Sequence, residues 1–169
     1  MKFLINAVLL LCSLGVAAQT CLPDSPETTA TDSLTDLSGG EVWHVATGLV
    51  WQRCALGQIW NGATCLGEAE KYTWQEALEL AQQASHDDLK GWRLPNIKEL
   101  ASITERACVR PSINAEWFPQ TPEDDFWSST PSATDPERAW VVAFFNASHS
   151  LKQKDRYVYV RLVRTYTEE

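Results

Sequence analysis

Apolar residues recur at helical spacing across residues 73–86. Trp74, Ala77, Leu78, Ala81 and Ala84 fall on one face, while Glu79, Gln82, Gln83 and Ser85 fall on the other and Leu80 lies off the stripe. Thr73 and Glu76 stand in capping-box relation, so the pattern predicts a helix with a defined start. A second helix is predicted over residues 97–106, capped by Asn96 with Glu99 three positions on, and burying Ile97, Leu100, Ala101 and one of Ile103 and Thr104. Elsewhere the period drops to two. Residues 42–45 and 49–53 read as strands around the turn at Thr47-Gly48, and residues 126–130 as a short strand stopped by Pro131. Residues 139–145 and 157–163 are stronger strands, rich in β-branched and aromatic side chains. In the latter, Val158, Val160 and Leu162 alternate with Tyr157, Tyr159, Arg161 and Val163, which predicts one buried and one more polar face. Residues 109–125 carry three prolines and little periodicity, so a long loop is expected; residues 146–156 read as a long hairpin connection.

Outside this patterned region the chain changes character. Residues 1–18 have the form of a secretory signal: Lys2 gives the positive start, residues 3–14 the apolar core, and Val16-Ala17-Ala18 a small-residue cleavage pattern. Cleavage is expected after about Ala18, leaving no membrane span in the mature chain and placing it in the periplasm or outside the cell. Residues 19–40 are rich in Ser, Thr, Asp, Pro and Gly and predict an extended or mobile, flexible leader held at Cys21; residues 41–166 form the domain. The full chain carries a formal charge of −8, with 14 basic against 22 acidic residues. Loss of Lys2 makes the mature chain one unit more negative. No basic face is visible, which excludes nucleic acid as a partner.

Four cysteines remain after cleavage, Cys21, Cys54, Cys65 and Cys108, and they permit three pairings. Cys54 and Cys65 bracket a short loop containing the turn signal Asn61-Gly62, so closing that loop is the cheapest pairing and leaves Cys21 with Cys108. No CxxC and no histidine beside a cysteine supports a zinc site.

The segment Gly91-Trp92-Arg93-Leu94-Pro95-Asn96 hands an extended stretch to the second helix. It stands in order with Thr47-Gly48-Leu49-Val50-Trp51-Gln52-Arg53-Cys54, Thr73-Trp74-Gln75-Glu76-Ala77-Leu78, Phe126-Trp127-Ser128-Ser129 and the ending Tyr157-Val158-Tyr159-Val160-Arg161-Leu162-Val163-Arg164. Together these blocks resemble the bacterial domain family named after the C-terminal domain of a Legionella collagen-like adhesin. The resemblance implies an α+β, C-type-lectin-like fold, with two helices packed on a small, twisted, mostly antiparallel sheet, here stapled by disulfides. It implies extracellular adhesion or glycan binding as well, but fold alone does not carry function. His44 replaces an acidic residue common in that family before the Thr-Gly-Leu turn, and Asn146-Ala147 replaces a common glycine.

Candidate chemistry is sparse. His44, His86 and His149 are far apart, Ser128-Ser129 is not in a nucleophile elbow, and no catalytic constellation is visible, so an enzyme is not expected. No cofactor is expected, although Asp124 and Asp125, within an acidic run, are weak calcium candidates. Eight tryptophans call for a core-filling role. Trp60 and Trp117, on loops, are candidate stacking platforms for sugars, and Lys152, Lys154 and Arg156 are candidate ligand contacts. Arg93 is expected to pair with a buried carboxylate or carbonyl rather than with a ligand. The expectation is an exported binding module that recognises a glycan or an envelope or surface protein through loops 109–125 and 146–156. The alternative is a structural or assembly subunit of an envelope or pilus complex.

Overall fold

The structure, a computed structural model, describes residues 19–88 and 90–168. The expected signal sequence lies outside the described residues. The chain runs β1 (Thr20–Cys21), a 3₁₀ turn at Thr31–Ser33, β2 (Leu34–Asp36), β3 (Glu41–His44), β4 (Leu49–Gln52), β5 (Ile59–Trp60), β6 (Cys65–Leu66), β7 (Lys71–Tyr72), α1 (Trp74–Asp88) and α2 (Ile97–Ala101). It continues through β8 (Cys108–Val109), β9 (Asp125–Pro131), β10 (Arg138–Ala143), β11 (Ser148–Gln153), β12 (Val158–Tyr159) and β13 (Val163–Thr165). One sheet is five-stranded, in the order β11-β10-β9-β12-β7, a second is four-stranded, in the order β13-β4-β3-β2, and β1–β8 and β5–β6 form separate ribbons. Pairing is antiparallel except between β12 and β9. Among the described residues the architecture is therefore α+β with two α-helices.

Both predicted capping boxes form. Thr73 N–H and Oγ1 donate to Glu76. Asn96 Oδ1 accepts from the N–H groups of Lys98 and Glu99, while Glu99 accepts from the Asn96 N–H at 2.8 Å. These bonds satisfy helix-end donors that have no partner within the helix. Both disulfides pair as the loop-closure argument required, Cys54 with Cys65 and Cys21 with Cys108.

Four expectations are corrected. First, residues 19–40 are not a loose leader. β1 pairs with β8, β2 is the outer strand beside β3, and Thr29 is buried. The cause is Glu105, whose buried carboxylate accepts from the N–H groups of Thr28, Thr29 and Ala107 and from the hydroxyls of Thr28 and Thr29. Second, α2 stops after five residues. Ser102 Oγ and Thr104 Oγ1 turn back onto the carbonyls of Glu99 and Ala101, the competing bonds that end helices. Third, residues 157–163 are not one strand with a polar face. The segment crosses from the five-stranded sheet, through β12, to the four-stranded sheet, through β13. Val160, Arg161, Leu162 and Val163 are all fully buried because both sides are covered. Fourth, residues 148–153 are β11, paired residue by residue with β10, so the hairpin turn lies at residues 144–147.

Two clusters fill the interior. Trp51, Leu100, Ile103, Ile113, Phe118, Phe126 and Phe144 belong to one, and Val50, Ala77, Trp92, Leu94, Trp127, Val141 and Leu162 to the other. Burial at this density supplies most of the folding free energy, about 25 cal/mol for each Å² of apolar surface removed from water.

Candidate functional site

The Trp92–Asn96 segment is fixed from several sides. Arg93 exchanges both backbone hydrogen bonds with Val163, Pro95 accepts from the Ser129 N–H at 2.7 Å, and Ile97 N–H donates to Thr130 Oγ1 at 3.0 Å. Trp92 and Leu94 point into the core. Arg93 lies between them in sequence and turns outward, where its guanidinium makes two parallel 2.7 Å bonds to the Glu99 carboxylate. Burial pushes the Glu99 carboxyl up, but Arg93 and the Asn96 N–H outweigh it and hold it below its ordinary value. Glu99 in turn raises Arg93. The pairing expected for Arg93 is present, and its bidentate geometry fixes direction as well as charge.

Beside this pair a groove of about 730 Å³ opens between the junction and α1. Leu78, Ala81, Trp92 and Leu94 contribute its apolar surface; Gln82, Ser85, Arg93, Asn96 and Ser129 supply polar edges. Arg93 keeps 42 % of its side-chain surface in solvent despite its ion pair, so it still presents donors to the groove. An apolar surface edged by amides, a hydroxyl and an oriented guanidinium can hold an extended, partly polar ligand. Nothing in the spacing of the residues announces this groove, because it forms only when α1 packs against the junction that follows it.

The residues proposed from sequence go elsewhere. Trp60 and Trp117 come together around one cation: the Arg53 guanidinium lies 4.8 Å from the first ring centroid and 4.7 Å from the second. Arg53 is itself buried and donates to Asp36 at 2.8 Å, which holds the Asp36 carboxyl below its ordinary value. Trp117 Nε1 is buried without an acceptor. Both tryptophans are half-buried, and one face of each ring is taken up by the arginine. Within residues 109–125, Ser112, Ile113 and Phe118 are fully buried, while Val109, Arg110, Glu116, Glu123 and Asp124 are exposed.

Of the basic trio, Lys152 and Arg156 line one shallow pocket together with Arg138 and Tyr157. Lys152 pairs with Asp125, Lys154 donates to the Pro136 carbonyl and lies 4.2 Å from the Trp74 ring centroid, and Arg156 lies 3.9 Å from Asp155. Asp124 accepts from Lys71 at 2.7 Å. Asp124 and Asp125 thus each hold their own lysine, and among the described residues no three His, Cys, Asp or Glu side chains converge as a metal site would require.

Sequence reasoning missed the most buried cation. Arg161 is fully buried with no carboxylate partner among the described residues; it donates to the carbonyls of Gln52 and Arg53 and to Thr121 Oγ1. Its guanidinium lies 5.0 Å from the centroid of Phe118 and 5.8 Å from that of Phe126. Burial pushes it down to about 9, still protonated at neutral pH. Its position in an alternating strand gave no signal, since alternation assigns it to the solvent face.

No helix among the described residues is long and apolar enough to cross a membrane. No curated protein matches the chain. The family model of the Lcl C-terminal domain matches residues 40–164, which contain every block that carried the resemblance, and the chain belongs to that family.

Proposed function

We propose that this member of the Lcl C-terminal domain family is an exported, adhesin-type binding module that holds a glycan or an extended segment of a surface protein in the groove beside Arg93. The observation that carries this is the groove itself, with its apolar surface and the oriented Arg93–Glu99 pair at its edge. Two disulfides fit an oxidising compartment outside the cytoplasm. The scaffold is taken as C-type-lectin-like, as the resemblance implied.

The module acts without catalysis and without a cofactor. Several polar groups that a pocket reaction would need are held in structural bonds. Ser128 Oγ donates to the Trp140 carbonyl, Glu105 binds backbone N–H groups, and burial holds His44 below its ordinary value.

A glycan array and a pull-down from envelope extracts test the proposal, each run with the wild type and with Gln82→Arg, which fills the groove from an exposed position on α1. Ligand capture that Gln82→Arg abolishes is expected. Capture unaffected by the substitution, or no capture at all, overturns the groove as the site.

A further inference from the structure

Four asparagines stand among the described residues, and of these only Asn61 is followed by glycine. Asn61 and Gly62 lie at the tip of the β5–β6 ribbon, both exposed, in a turn closed by the Asn61 N–H on the Thr64 carbonyl at 3.1 Å. The Asn61 side chain folds back along this turn. Its Oδ1 accepts from the N–H groups of Ala63 at 2.9 Å and Thr64 at 2.8 Å, a local pattern that asparagine adopts readily. Its Nδ2 and the Gly62 N–H, by contrast, have no protein partner among the described residues.

These are the conditions for an asparagine to cyclise. A free main-chain nitrogen must reach Cγ, the charge that builds on Oδ1 must be stabilised, and Nδ2 must depart. Two N–H groups already aimed at Oδ1 stabilise developing charge there without reorganisation. Gly62 has no side chain to obstruct closure, and with φ at +99° a Cβ built on it would meet nothing within 4 Å, so the turn stands clear of the body.

The other three asparagines each lack one condition. After Asn96 the Ile97 N–H is held by Thr130 Oγ1, and after Asn146 the Ala147 N–H is held by the Ala143 carbonyl at 2.9 Å. At Asn114 the leaving group is held instead, with Nδ2 donating to the Thr29 carbonyl at 3.0 Å.

We infer that Asn61 is a site of spontaneous covalent modification, at which the folded chain converts asparagine to isoaspartate and aspartate. The Gly62 nitrogen loses its proton to solvent base and bonds to Asn61 Cγ. The Cγ–Nδ2 bond breaks, and Nδ2 takes a proton from water and leaves as ammonia, which closes a succinimide. Water then adds to either carbonyl of that ring and opens it, giving isoaspartate or aspartate at position 61. Water is the only co-reactant, and nothing is oxidised or reduced. The product adds one negative charge to the ribbon and, in the isoaspartyl form, one extra main-chain methylene. Both changes fall beside Ile59 and Leu66, the ribbon's exposed apolar pair, in a loop that Cys54–Cys65 closes. This inference does not depend on the groove.

Peptide mapping by mass spectrometry tests it, on the oxidised, folded chain incubated at neutral and at mildly alkaline pH. Asn61 is expected to gain one mass unit, with isoaspartate identified by electron-transfer fragmentation, while Asn96, Asn114 and Asn146 stay intact. Base should speed the conversion, because the attacking nitrogen must lose its proton. Gly62→Ala is expected to slow it at least about tenfold, since a methyl group beside that nitrogen hinders its approach to Cγ. That substitution also strains a positive-φ position, so the reduced, unfolded wild-type chain is the second comparison, and the folded chain should convert at least as fast. Slower conversion of Asn61 in the folded chain than in the unfolded one overturns the inference. So does conversion of Asn114 or Asn146 at an equal rate, a Gly62→Ala variant that converts as fast as the wild type, or a product that is aspartate alone, the mark of direct hydrolysis without the ring.

Discussion

Replacement of Glu105 by Gln gives the sharpest test of how the N-terminal segment is held. The carboxylate is 3 % exposed and receives three backbone N–H groups and two hydroxyls, with the Thr29 and Ala107 N–H groups each at 2.8 Å. An amide of the same shape offers one acceptor oxygen and turns its NH₂ toward donors. About two backbone N–H groups then lose their acceptor at roughly 1–3 kcal/mol each, so Glu105→Gln should cost about 3 kcal/mol. For a domain of this size that is a fall in Tm of about 6–12 °C. Burial pushes the Glu105 carboxyl up, but the Thr29, Ala107 and Thr28 donors outweigh it and leave it below its ordinary value of 4.5. A depressed carboxylate stabilises the fold above its unfolded pKa, and that stability is lost as pH falls through the folded value. Urea unfolding of the wild type and Glu105→Gln from pH 7 to pH 3 should therefore show a gap that narrows at low pH, where the wild type is itself protonated. Amide exchange at Thr28 and Thr29 should accelerate in the variant at pH 7. A gap below about 0.5 kcal/mol at pH 7, or one that does not shrink with acid, refutes the assignment of Glu105 as the latch.

Removing the Cys21–Cys108 bond by paired alanine substitution should cost more than removing Cys54–Cys65, because the separations are 87 and 11 residues. Loop-closure entropy gives about 4.5 against about 2.8 kcal/mol, and equal losses in urea unfolding would contradict it. Trp117→Ala should destabilise the domain by about 2–4 kcal/mol through loss of packing on Arg53 and the core, while leaving any ligand titration unchanged in the folded fraction; a large affinity loss at full stability would restore Trp117 as a contact. His44 is buried and held below its ordinary value by burial, so the unfolded chain takes up its proton first as pH falls through about 6.5. Stability should decline in that window and His44→Gln should flatten the decline, as read from Tm against pH.

The features legible in the sequence were those decided locally. A capping box needs residues three apart, and Thr73–Glu76 and Asn96–Glu99 both formed. The Cys54–Cys65 loop is short enough for spacing alone to favour its closure, and that pairing leaves Cys21 for Cys108. What failed depended on distant partners. The composition of residues 19–40 is that of a disordered segment, because it lacks apolar mass of its own, yet distant partners hold it: Cys108 through a disulfide, Glu105 through hydrogen bonds and Arg53 through Asp36. Trp60, in β5, and Trp117 are half-buried, and their shared contact with Arg53, far from Trp117 in the chain, has no signal in local spacing. The groove has the same origin, since its two walls come from α1 and from the junction that follows it.

The abundance of tryptophan follows from the same physics. This fold brings cations inward where carboxylates are scarce: Arg53 has one, Asp36, and Arg161 has none among the described residues. An arginine taken out of water without a counter-ion needs both hydrogen-bond acceptors and polarisable faces. Carbonyls and Thr121 give Arg161 the first, while Phe118 and Phe126 give it the second. Around Arg53 the faces are Trp60 and Trp117, and the Nε1 atom of Trp117 goes without an acceptor, so its ring is placed for the cation and not for its own polar group. Arg161→Met separates the two requirements. A methionine fills the space and removes the desolvation cost, but it leaves two carbonyls and a hydroxyl without their donor. If acceptor satisfaction dominates, the variant loses about 1–3 kcal/mol in urea unfolding; if burial of the charge dominates, it is as stable as the wild type or more so, and the hydrogen bonds are then a consequence of the buried arginine rather than the reason for it.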